Sequence, residues 1–504
     1  MAEVQLPLFS GLYKNSDGVE IETKESRVVD AYIDEFNYLH KRPCLDGFVD
    51  LGTGAKVDGL YWWNIKSVVI AVSNSNVYKI DVNTQTATLL GTGLTVGTHV
   101  VFAEGTLSGG TNVLFMANGG HIFYTDNSTV TDVYSVDTDS PTTCTHIVVM
   151  DSYLLANSTG SDTIYFSQVL DPLDWRSEFF TAEGNVDSVT ALVANGRELL
   201  PFGPQSIETW YNDGSTPFAR FEGGETNNGV VAPYSITYID NTFYFMDKDR
   251  RFVRLNGRQT EVVSRDLQRV IQRLDSVNDA YADLIRVNGQ DFYIICFPTA
   301  TRFDSASQGD TILTDHLGGN ILDNTGSPIE DNSINGFTLV YDYANNRWYE
   351  WASWDGTRYS AFEYNCHCFC IANGRNYIGS NTDGNIYFLS SDRYDDLGTT
   401  VRTLVETGFL DHGTHYRKSS VRLSLRGKKG VNNGDGVFIT IGYKDEEESD
   451  YNDVTEEITS TNANFVVRKG RMGMYRARSY RVIHTGACDL VLGDMIEDVE
   501  VTSG

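Results

Sequence analysis

Residues 68–81 read VVIAVSNSNVYKID, and their pattern indicates the secondary structure that the chain repeats. A run of apolar, mostly β-branched residues leads into the polar turn Asn74-Ser75-Asn76, and a second run follows that ends on Asp81. Apolar, β-branched runs on both sides of a short Asn/Ser turn are typical of a β-hairpin. The phrase therefore predicts two antiparallel strands.

The same phrase recurs along the chain. Later copies begin at Val113 (VLFMANGGHIFYTD), Tyr153, Glu198, Phe243, Phe292 and Tyr377. The first six copies are spaced by 40 to 49 residues, and a polar insertion over 299–336 lengthens the last interval. Short apolar segments between the copies leave room for three or four strands per unit. Such a period predicts an all-β chain with a β-propeller of six to seven blades over 57–396. One or two β-sandwiches remain the alternative.

The flanks of the repeat differ from it. Residues 1–56 show no blade pattern, which predicts an N-terminal extended arm. Beyond residue 397 the repeat stops, and alternating strands such as 421–425 and 437–441 predict a C-terminal β-sandwich-like domain over 397–504. A short helix is expected between the fifth and sixth blades, with Ser264 as its cap and apolar positions at Leu267, Val270, Ile271 and Leu274.

Composition excludes several classes of protein. The 504 residues include 39 Lys+Arg and 68 Asp+Glu, for a formal net charge of −29. This charge argues against wrapping nucleic acid or binding an anionic membrane. The start has no basic, apolar leader, and the longest apolar runs have the length of strands. Seven cysteines are too few for a disulfide framework, so we expect a soluble chain that folds in a reducing cytoplasm.

Charge is unevenly distributed. Residues 1–411 carry a net −28, whereas 412–504 carry −1. Six basic and no acidic residues fall in 412–434, and six more basic residues fall in 458–488. These segments are either solvated hairpin tips or docking surfaces for charged neighbours. The candidate partner-contact residues are Arg417, Lys418, Arg422, Arg426, Lys428, Lys429, Arg468, Lys469 and Arg471.

Motifs for chemistry are weak. Cys366, Cys368 and Cys370 alternate, so their sulfurs share one face of a strand, but no second Cys/His pair accompanies them as a structural zinc site requires. Their pattern favours small core residues. The nucleophile-elbow, zinc-protease and P-loop motifs are absent from the sequence, and its carboxylates single out no acid/base pair. The sequence therefore predicts no catalytic residue, no metal site and no cofactor.

Several phrases together resemble the tail hub or nozzle family of short-tailed bacteriophages, whose lambdoid Salmonella-phage members are called packaged-DNA stabilisation proteins. They cover nearly the whole chain. The phrases are residues 6–11 (LPLFSG), 41–47 (KRPCLDG), 151–156 (DSYLLA), 164–167 (IYFS), 171–175 (DPLDW), 202–211 (FGPQSIETWY), 340–342 (VYD) with 347–348 (RW), 481–486 (RVIHTG) and 490–497 (LVLGDMIE).

The resemblance implies a non-enzymatic component of the virion, assembled in the host cytoplasm. A homohexameric tube would sit below the portal–adaptor (head-to-tail connector), retain packaged DNA until a tail needle or plug leaves, and then conduct the DNA. Tail fibres or spikes would dock on the tube, and the chain itself would have no membrane anchor. Double-stranded DNA would pass transiently without specific binding, and we expect part of the acidity to face the channel. Two alternatives remain: a propeller glycosidase or lyase acting on surface polysaccharide, and a kelch-like protein-binding module.

Overall fold

A computed structural model gives the fold of the chain. The structure describes residues 2–6, 26–182, 184, 187–214, 217–303, 311–312, 330–331, 333–354, 356, 359–361, 368–432, 436–446, 448, 450–459 and 463–501.

Five successive four-stranded antiparallel sheets form blades 1 to 5 of a propeller. In each of them the strands follow one another in chain order, as the repeated hairpin phrase predicts. Their strands are Val57–Trp63, Val68–Ser73, Asn76–Asp81 and Thr86–Thr92 in blade 1; Val101–Thr106, Asn112–Ala117, Phe123–Thr125 and Val130–Asp132 in blade 2; Ile147–Met150, Tyr153–Asn157, Thr163–Gln168 and Asp171–Thr181 in blade 3; Ala191–Asn195, Glu198–Phe202, Trp210–Asn212 and Phe218–Arg220 in blade 4; and Thr237–Ile239, Thr242–Met246, Phe252–Asn256 and Gln259–Val262 in blade 5.

Blade 6 is the first part of a ten-stranded sheet. Its strands are Tyr281–Val287, Gln290–Phe303, Ser333–Asp342 and Arg347–Trp354, with Tyr359–Ala361 paired beside the last. The second and third strands extend into the predicted insertion, where Thr301 pairs with Asn335. A separate short pair, Thr311–Ile312 with Glu330–Asp331, also lies within the insertion. The described ends of the insertion thus prolong the second and third strands of blade 6.

Blade 7 is closed by a strand from the N-terminal region. Cys368–Ala372, Arg375–Gly379 and Asn385–Ser390 are its first three strands, and Cys44–Asp50 is the fourth. Gly47 lies opposite Tyr387 in this ladder. The prediction of an extended arm over 1–56 is therefore wrong for residues 44–50. A single strand some 340 residues away from its partner leaves no local repeat to detect.

Apolar layers between blades hold the propeller together. In the strand Asn112–Ala117, Leu114 and Met116 pack with Trp63 of blade 1. The alternate residue Phe115 packs on the other side of the sheet, against blade 3. This two-sided burial is the reason for the continuous apolar runs in the repeat. Six separate four-stranded sheets and the four strands of blade 6 confirm the propeller of six to seven blades.

The expected short helix lies between blades 5 and 6. A 3-10 turn, Arg265–Leu267, leads into the α-helix Gln268–Gln272, whose apolar side is buried in the layer between these blades. Ser264 does not cap it. Its hydroxyl instead accepts a hydrogen bond from the Phe252 N–H at 2.9 Å. Further 3-10 turns are Asn64–Lys66, Val133–Ser135 and Pro233–Ser235.

The C-terminal strands form a β-sandwich, and four strands from the N-terminal region of the chain also belong to it. Its first sheet has seven strands: Ala31–Ile33, Leu39–Lys41, Cys488–Val501, Lys418–Asn432 and Ala463–Gly470 in spatial order, with Ala2–Leu6 and Met474–Tyr475 beside them. Its second sheet is the outer part of the ten-stranded sheet: Arg27–Val29, Arg402–Glu406, Arg478–Thr485, Phe438–Asp445 and Asn452–Glu457. A short pair, Asp395–Asp396 with Thr399–Thr400, links the propeller to it.

The sandwich and the propeller share one sheet. Arg27–Val29 runs parallel to Arg347–Trp354 of blade 6 and antiparallel to Arg402–Glu406 of the sandwich. One apolar cluster spans both parts, including Ile294 of blade 6 and Leu425 of the sandwich. The predicted boundary at residue 397 therefore separates strands that belong to a continuous sheet.

Candidate docking surface

Four of the nine predicted basic residues lie on one outer sheet face of the sandwich. In the strand Lys418–Asn432, alternate residues point outward, and the edge strand Ala463–Gly470 pairs with it so that Ser424 faces Arg468 and Arg426 faces Val466. This pairing brings four exposed cations together. The basic face consists of Arg422, Arg426, Lys428 and Arg468.

Most of the positive charge on the basic face is uncompensated. The Arg422 guanidinium contacts the Asp498 carboxylate at 2.8 Å. Arg426, Lys428 and Arg468 have no ion pair within the described ranges. Val466 lies among them with 39% of its surface exposed. The outer edge of Ala463–Gly470 has no neighbouring strand among the described residues. Apolar surface surrounded by arginine and lysine is suited to binding a negatively charged protein surface.

Two of the predicted contact residues are buried instead. The Lys418 ammonium donates to three backbone carbonyls, those of Thr414, Tyr416 and Arg476, at 2.6–2.9 Å. Burial lowers the pKa of Lys418. Lys429 donates to the Ile458 carbonyl at 2.6 Å. These two residues were predicted wrongly as surface contacts, because they point into the sandwich and satisfy carbonyls there.

Backbone irregularity explains why Lys418 points inward. Its ladder with Cys488–Val501 shifts register between Ser420 and Arg422. A β-bulge of this kind reverses the alternation of faces along a strand. Lys418 and Arg422 therefore lie on opposite faces although they are four residues apart.

The other three predicted residues do not belong to the basic face. Lys469 is half-buried, its ammonium donates to the Asn452 side-chain oxygen at 2.9 Å, and burial lowers its pKa. Arg417 and Arg471 are exposed. The positive surface available to a partner is therefore smaller than the nine residues predicted.

A buried carboxylate in the sandwich was not predicted. Glu497 accepts hydrogen bonds from Ser420 at 2.5 Å, Tyr475 at 2.7 Å and Tyr480 at 2.6 Å. His412 lies 3.5 Å away. Burial acts to raise the pKa of Glu497, but these hydrogen bonds outweigh it and the pKa is lowered. The network joins the two sheets of the sandwich, and its members are too far apart in sequence to form a motif.

A second buried network ties the N-terminal region to the propeller. Arg42 contacts Asp30 at 2.7 Å and Asp396 at 2.5 Å, and all three are buried. Its guanidinium also donates to the Ala352 carbonyl of blade 6 at 3.3 Å. Arg42 belongs to the phrase KRPCLDG, so a structural role accounts for that segment.

Aromatic side chains fill the propeller axis at one level. The His99 ring, next to blade 2, lies 4.8 Å from the Tyr234 ring, next to blade 5 on the opposite side. His146 stacks on Tyr234 at 5.1 Å, and Tyr281 stacks on His99 at 5.7 Å. Burial, with a smaller contribution from His99, lowers the pKa of His146 to about 3. The His146 ring is therefore uncharged near neutral pH. The packed rings close the axis to anything as wide as DNA.

The described residues offer little for catalysis. An open cavity of about 370 Å³ between blades 6 and 7 is lined by Arg286, Asn288, Arg375 and Asp392 among others, and Arg286 is paired with Asp291. The described part of the chain contains no group of three potential metal ligands. None of its helices is long and apolar enough to cross a membrane.

The cysteine strand behaves as a core strand where it is described. Cys368 and Cys370 both pack in the layer between blades 7 and 1. Burial raises the pKa of both thiols. Cys366 lies outside the described residues.

A family model described as bacteriophage P22 Gp10, β-propeller, matches residues 4–311, which is more than half of the chain. The chain belongs to this family. Membership makes it a phage structural protein built on a β-propeller and associates it with the virion. The matched residues include all of blades 1 to 5, and the fold of these residues agrees with the family description.

Similarity outside the family is distant. A structure described as the extracellular domain of a one component system, BT4673, from B. thetaiotaomicron aligns with a TM-score of 0.41 and 7% identity, over 88% of this chain and 60% of that one. An auxiliary nutrient binding protein from Bacteroides thetaiotaomicron aligns with a TM-score of 0.32 and 10% identity, over 68% and 69%. No curated protein matches the chain.

Proposed function

We propose that the chain is a structural subunit of the phage tail hub or nozzle, a homohexameric ring below the portal–adaptor. The ring retains packaged DNA and later forms the channel through which the genome leaves. The observation that carries this proposal is the match of residues 4–311 to the P22 Gp10 propeller family.

The fold supports a load-bearing role. A hub has to keep its shape while packaged DNA presses on it. The ten-stranded sheet passes from blade 6 through Arg27–Val29 into the sandwich, and the buried Arg42 network lies at the same junction. Interfaces of this kind suppress relative motion of two domains. The subunit is thus suited to be a stiff wall segment.

The aromatic cluster supports a channel between subunits. The rings of His99 and Tyr234 lie 4.8 Å apart across the propeller axis, whereas even the major groove of DNA is about 12 Å wide. DNA would therefore pass along the ring axis, outside the propeller. The net charge of −28 over residues 1–411 would repel phosphates and keep DNA from adhering to such a wall.

The same proposal covers the partners. The ring would contact the portal–adaptor, the tail needle or plug, and the tail fibres or spikes. It would catalyse no reaction. Assembly would take place in the host cytoplasm. The enzyme alternative gains little from the two cavities of the described residues, because each is lined by a single carboxylate, Asp489 or Asp392. A binding module remains compatible with the fold alone, since one fold hosts many functions.

Assembly tests the proposal. The purified chain, alone and mixed with the adaptor ring of its own phage, should give six-fold rings in negative-stain images and a mass near six subunits. A chain that stays monomeric and never binds the adaptor would contradict the hub role. As a control for the enzyme alternative, host surface polysaccharide should release no reducing ends. Release that is lost on alanine substitution of a carboxylate would favour a glycosidase.

A further inference from the structure

Blades 2 and 3 form the counterpart in charge to the basic face. Residues 101–181 contain ten Asp and Glu but a single basic residue, Arg176. Three of these acids lie on the outer strand of blade 3, Asp171–Thr181. This strand has no further strand beside it among the described residues. Asp174 and Glu178 lie on this strand, half-exposed and exposed respectively, and the exposed Arg176 between them lies 4.0 Å from the Asp174 carboxylate.

The same edge exposes apolar side chains. Phe179 on the outer strand is 56% exposed, and Leu170 at the preceding hairpin tip is 66% exposed. The segment after blade 2 lies against this strand, because the backbone N–H of Trp175 donates to the Asp137 carboxylate at 2.6 Å. Val136, next to Asp137, is 52% exposed. We refer to this surface as the acidic edge. It comprises Val136, Asp137, Asp139, Val169, Leu170, Asp171, Asp174, Glu178 and Phe179.

The hairpin tip of the acidic edge is held in a costly conformation. Leu170 has a φ of 63°, in the left-handed region that glycine or asparagine usually occupies. Its N–H donates to the Ser152 carbonyl at 3.0 Å, which fixes the tip against the neighbouring turn. A large apolar residue that is both strained and exposed does not stabilise the isolated subunit. Such features are typical of surfaces that are covered on binding.

We propose that the acidic edge of one copy of this chain docks on the basic face of the next copy. Arg426, Lys428 and Arg468 would meet the carboxylates of Asp174 and Glu178, and Val466 would meet the apolar side chains of the edge. This inference rests on the proposed ring and names the contact that builds it.

Physical reasons favour this occupant over other partners. Both surfaces are on one chain, they have opposite charge, and each combines its charge with exposed apolar area. Like patches repel each other, so two copies are prevented from pairing symmetrically through either patch. A contact between two different patches is heterologous, and successive heterologous contacts close into a ring when the rotation permits. Assembly through this contact should weaken as salt is raised.

Charge reversal tests the contact. One variant, R426E/R468E, makes the basic face acidic, and a second, D174K/E178K, makes the acidic edge basic. Each alone should weaken self-association at least tenfold, measured by analytical ultracentrifugation at low and physiological salt. A 1:1 mixture of the two variants should regain assembly, as should a single chain carrying all four substitutions. The control R265E/R375E reverses two exposed arginines elsewhere, one before the helix between blades 5 and 6 and one in blade 7, and should assemble like wild type.

The outcomes separate the two proposals. Rings that persist in both charge-reversed variants overturn this contact and leave the hub role intact. Loss of assembly without recovery in the mixture also overturns it, provided that circular dichroism shows each variant folded. A wild-type chain that fails to assemble even with its adaptor overturns both. Equal weakening by the control variant would show that net charge alone is responsible and would reject the contact.

Discussion

At the scale of single residues, Arg42 is the clearest test of the junction between the N-terminal region and the propeller. Its guanidinium is buried between Asp30 and Asp396. Removing one partner of a buried ionic network leaves uncompensated charge, which costs about 3–5 kcal/mol. We therefore expect Arg42→Met to lower the free energy of unfolding by that amount in urea titrations at pH 7.

A matched arginine provides the control for this prediction. Arg393 pairs with Asp46 at 3.0 Å, and its side chain is 46% exposed. Because solvent screens exposed ion pairs, Arg393→Met should leave the free energy of unfolding almost unchanged. Equal losses in the two variants would mean that the Arg42 network is not a buried, cooperative unit.

Glu497 predicts a pH dependence of the sandwich. Its folded-state pKa is below its ordinary value, so its stabilising effect is full above the unfolded pKa of about 4.3 and is lost as pH falls through the folded pKa. Glu497→Gln should lose about 2–3 kcal/mol at pH 7, because hydrogen bonds to a charged acceptor are removed. The difference from wild type should shrink below about pH 4. As a control, Glu457→Gln removes a carboxylate from an exposed position on an edge strand and should change the free energy of unfolding little at pH 7.

The candidate docking residues show how far sequence reasoning extends at this scale. Charge counting located the segments 412–434 and 458–488 and included all four members of the basic face. It could not separate Arg422 from Lys418, because a bulge in the ladder decides which of them points outward. Nor could it find Glu497, whose partners come from distant parts of the chain.

At the scale of elements, the closing strand of blade 7 can be tested by its register. Cys44 lies directly opposite Ser390 in the ladder. Opposed Cα atoms in an antiparallel pair lie about 4.5–5.5 Å apart, within the range of a disulfide. Ser390→Cys should therefore form a 44–390 disulfide on oxidation, seen by non-reducing peptide mapping. The bond should raise stability by up to about 5 kcal/mol, because it closes a very long loop.

The neighbouring position supplies the control for the register. Ser391 is exposed and lies one residue beyond the strand, so Ser391→Cys should not react with Cys44. A disulfide at 391 in place of 390 would show that the strand pairs one residue out of register. The repeat spacing predicted the other strands of this blade, because they lie next to one another in sequence.

At the scale of the whole molecule, one continuous sheet predicts one cooperative unit. The propeller and the sandwich share the strand Arg27–Val29 and a common apolar cluster. Differential scanning calorimetry should show a single transition, and residues 397–504 expressed alone should be unfolded by circular dichroism because they lack four N-terminal strands of the sandwich. Two separate transitions, or a folded fragment, would contradict this organisation.

The sequence was informative about architecture and misleading about boundaries. The propeller and the C-terminal sandwich were both predicted, since each has local periodicity. The division at 56 and 397 was not recoverable, because the strands Ala2–Leu6, Arg27–Val29 and Cys44–Asp50 pair with partners more than 300 residues away. Short strands of that kind carry no periodic signal of their own.

The pairing of Cys44–Asp50 with Asn385–Ser390 also determines when the propeller can close during protein synthesis. On a ribosome that adds about 5–20 residues per second, roughly 20–70 s pass between the synthesis of Cys44–Asp50 and that of its partner strand. During that interval the nascent chain holds an open arc of blades with two unsatisfied edges. Ring closure is therefore a late event, and a subunit released early by a truncated message would be unable to complete its propeller.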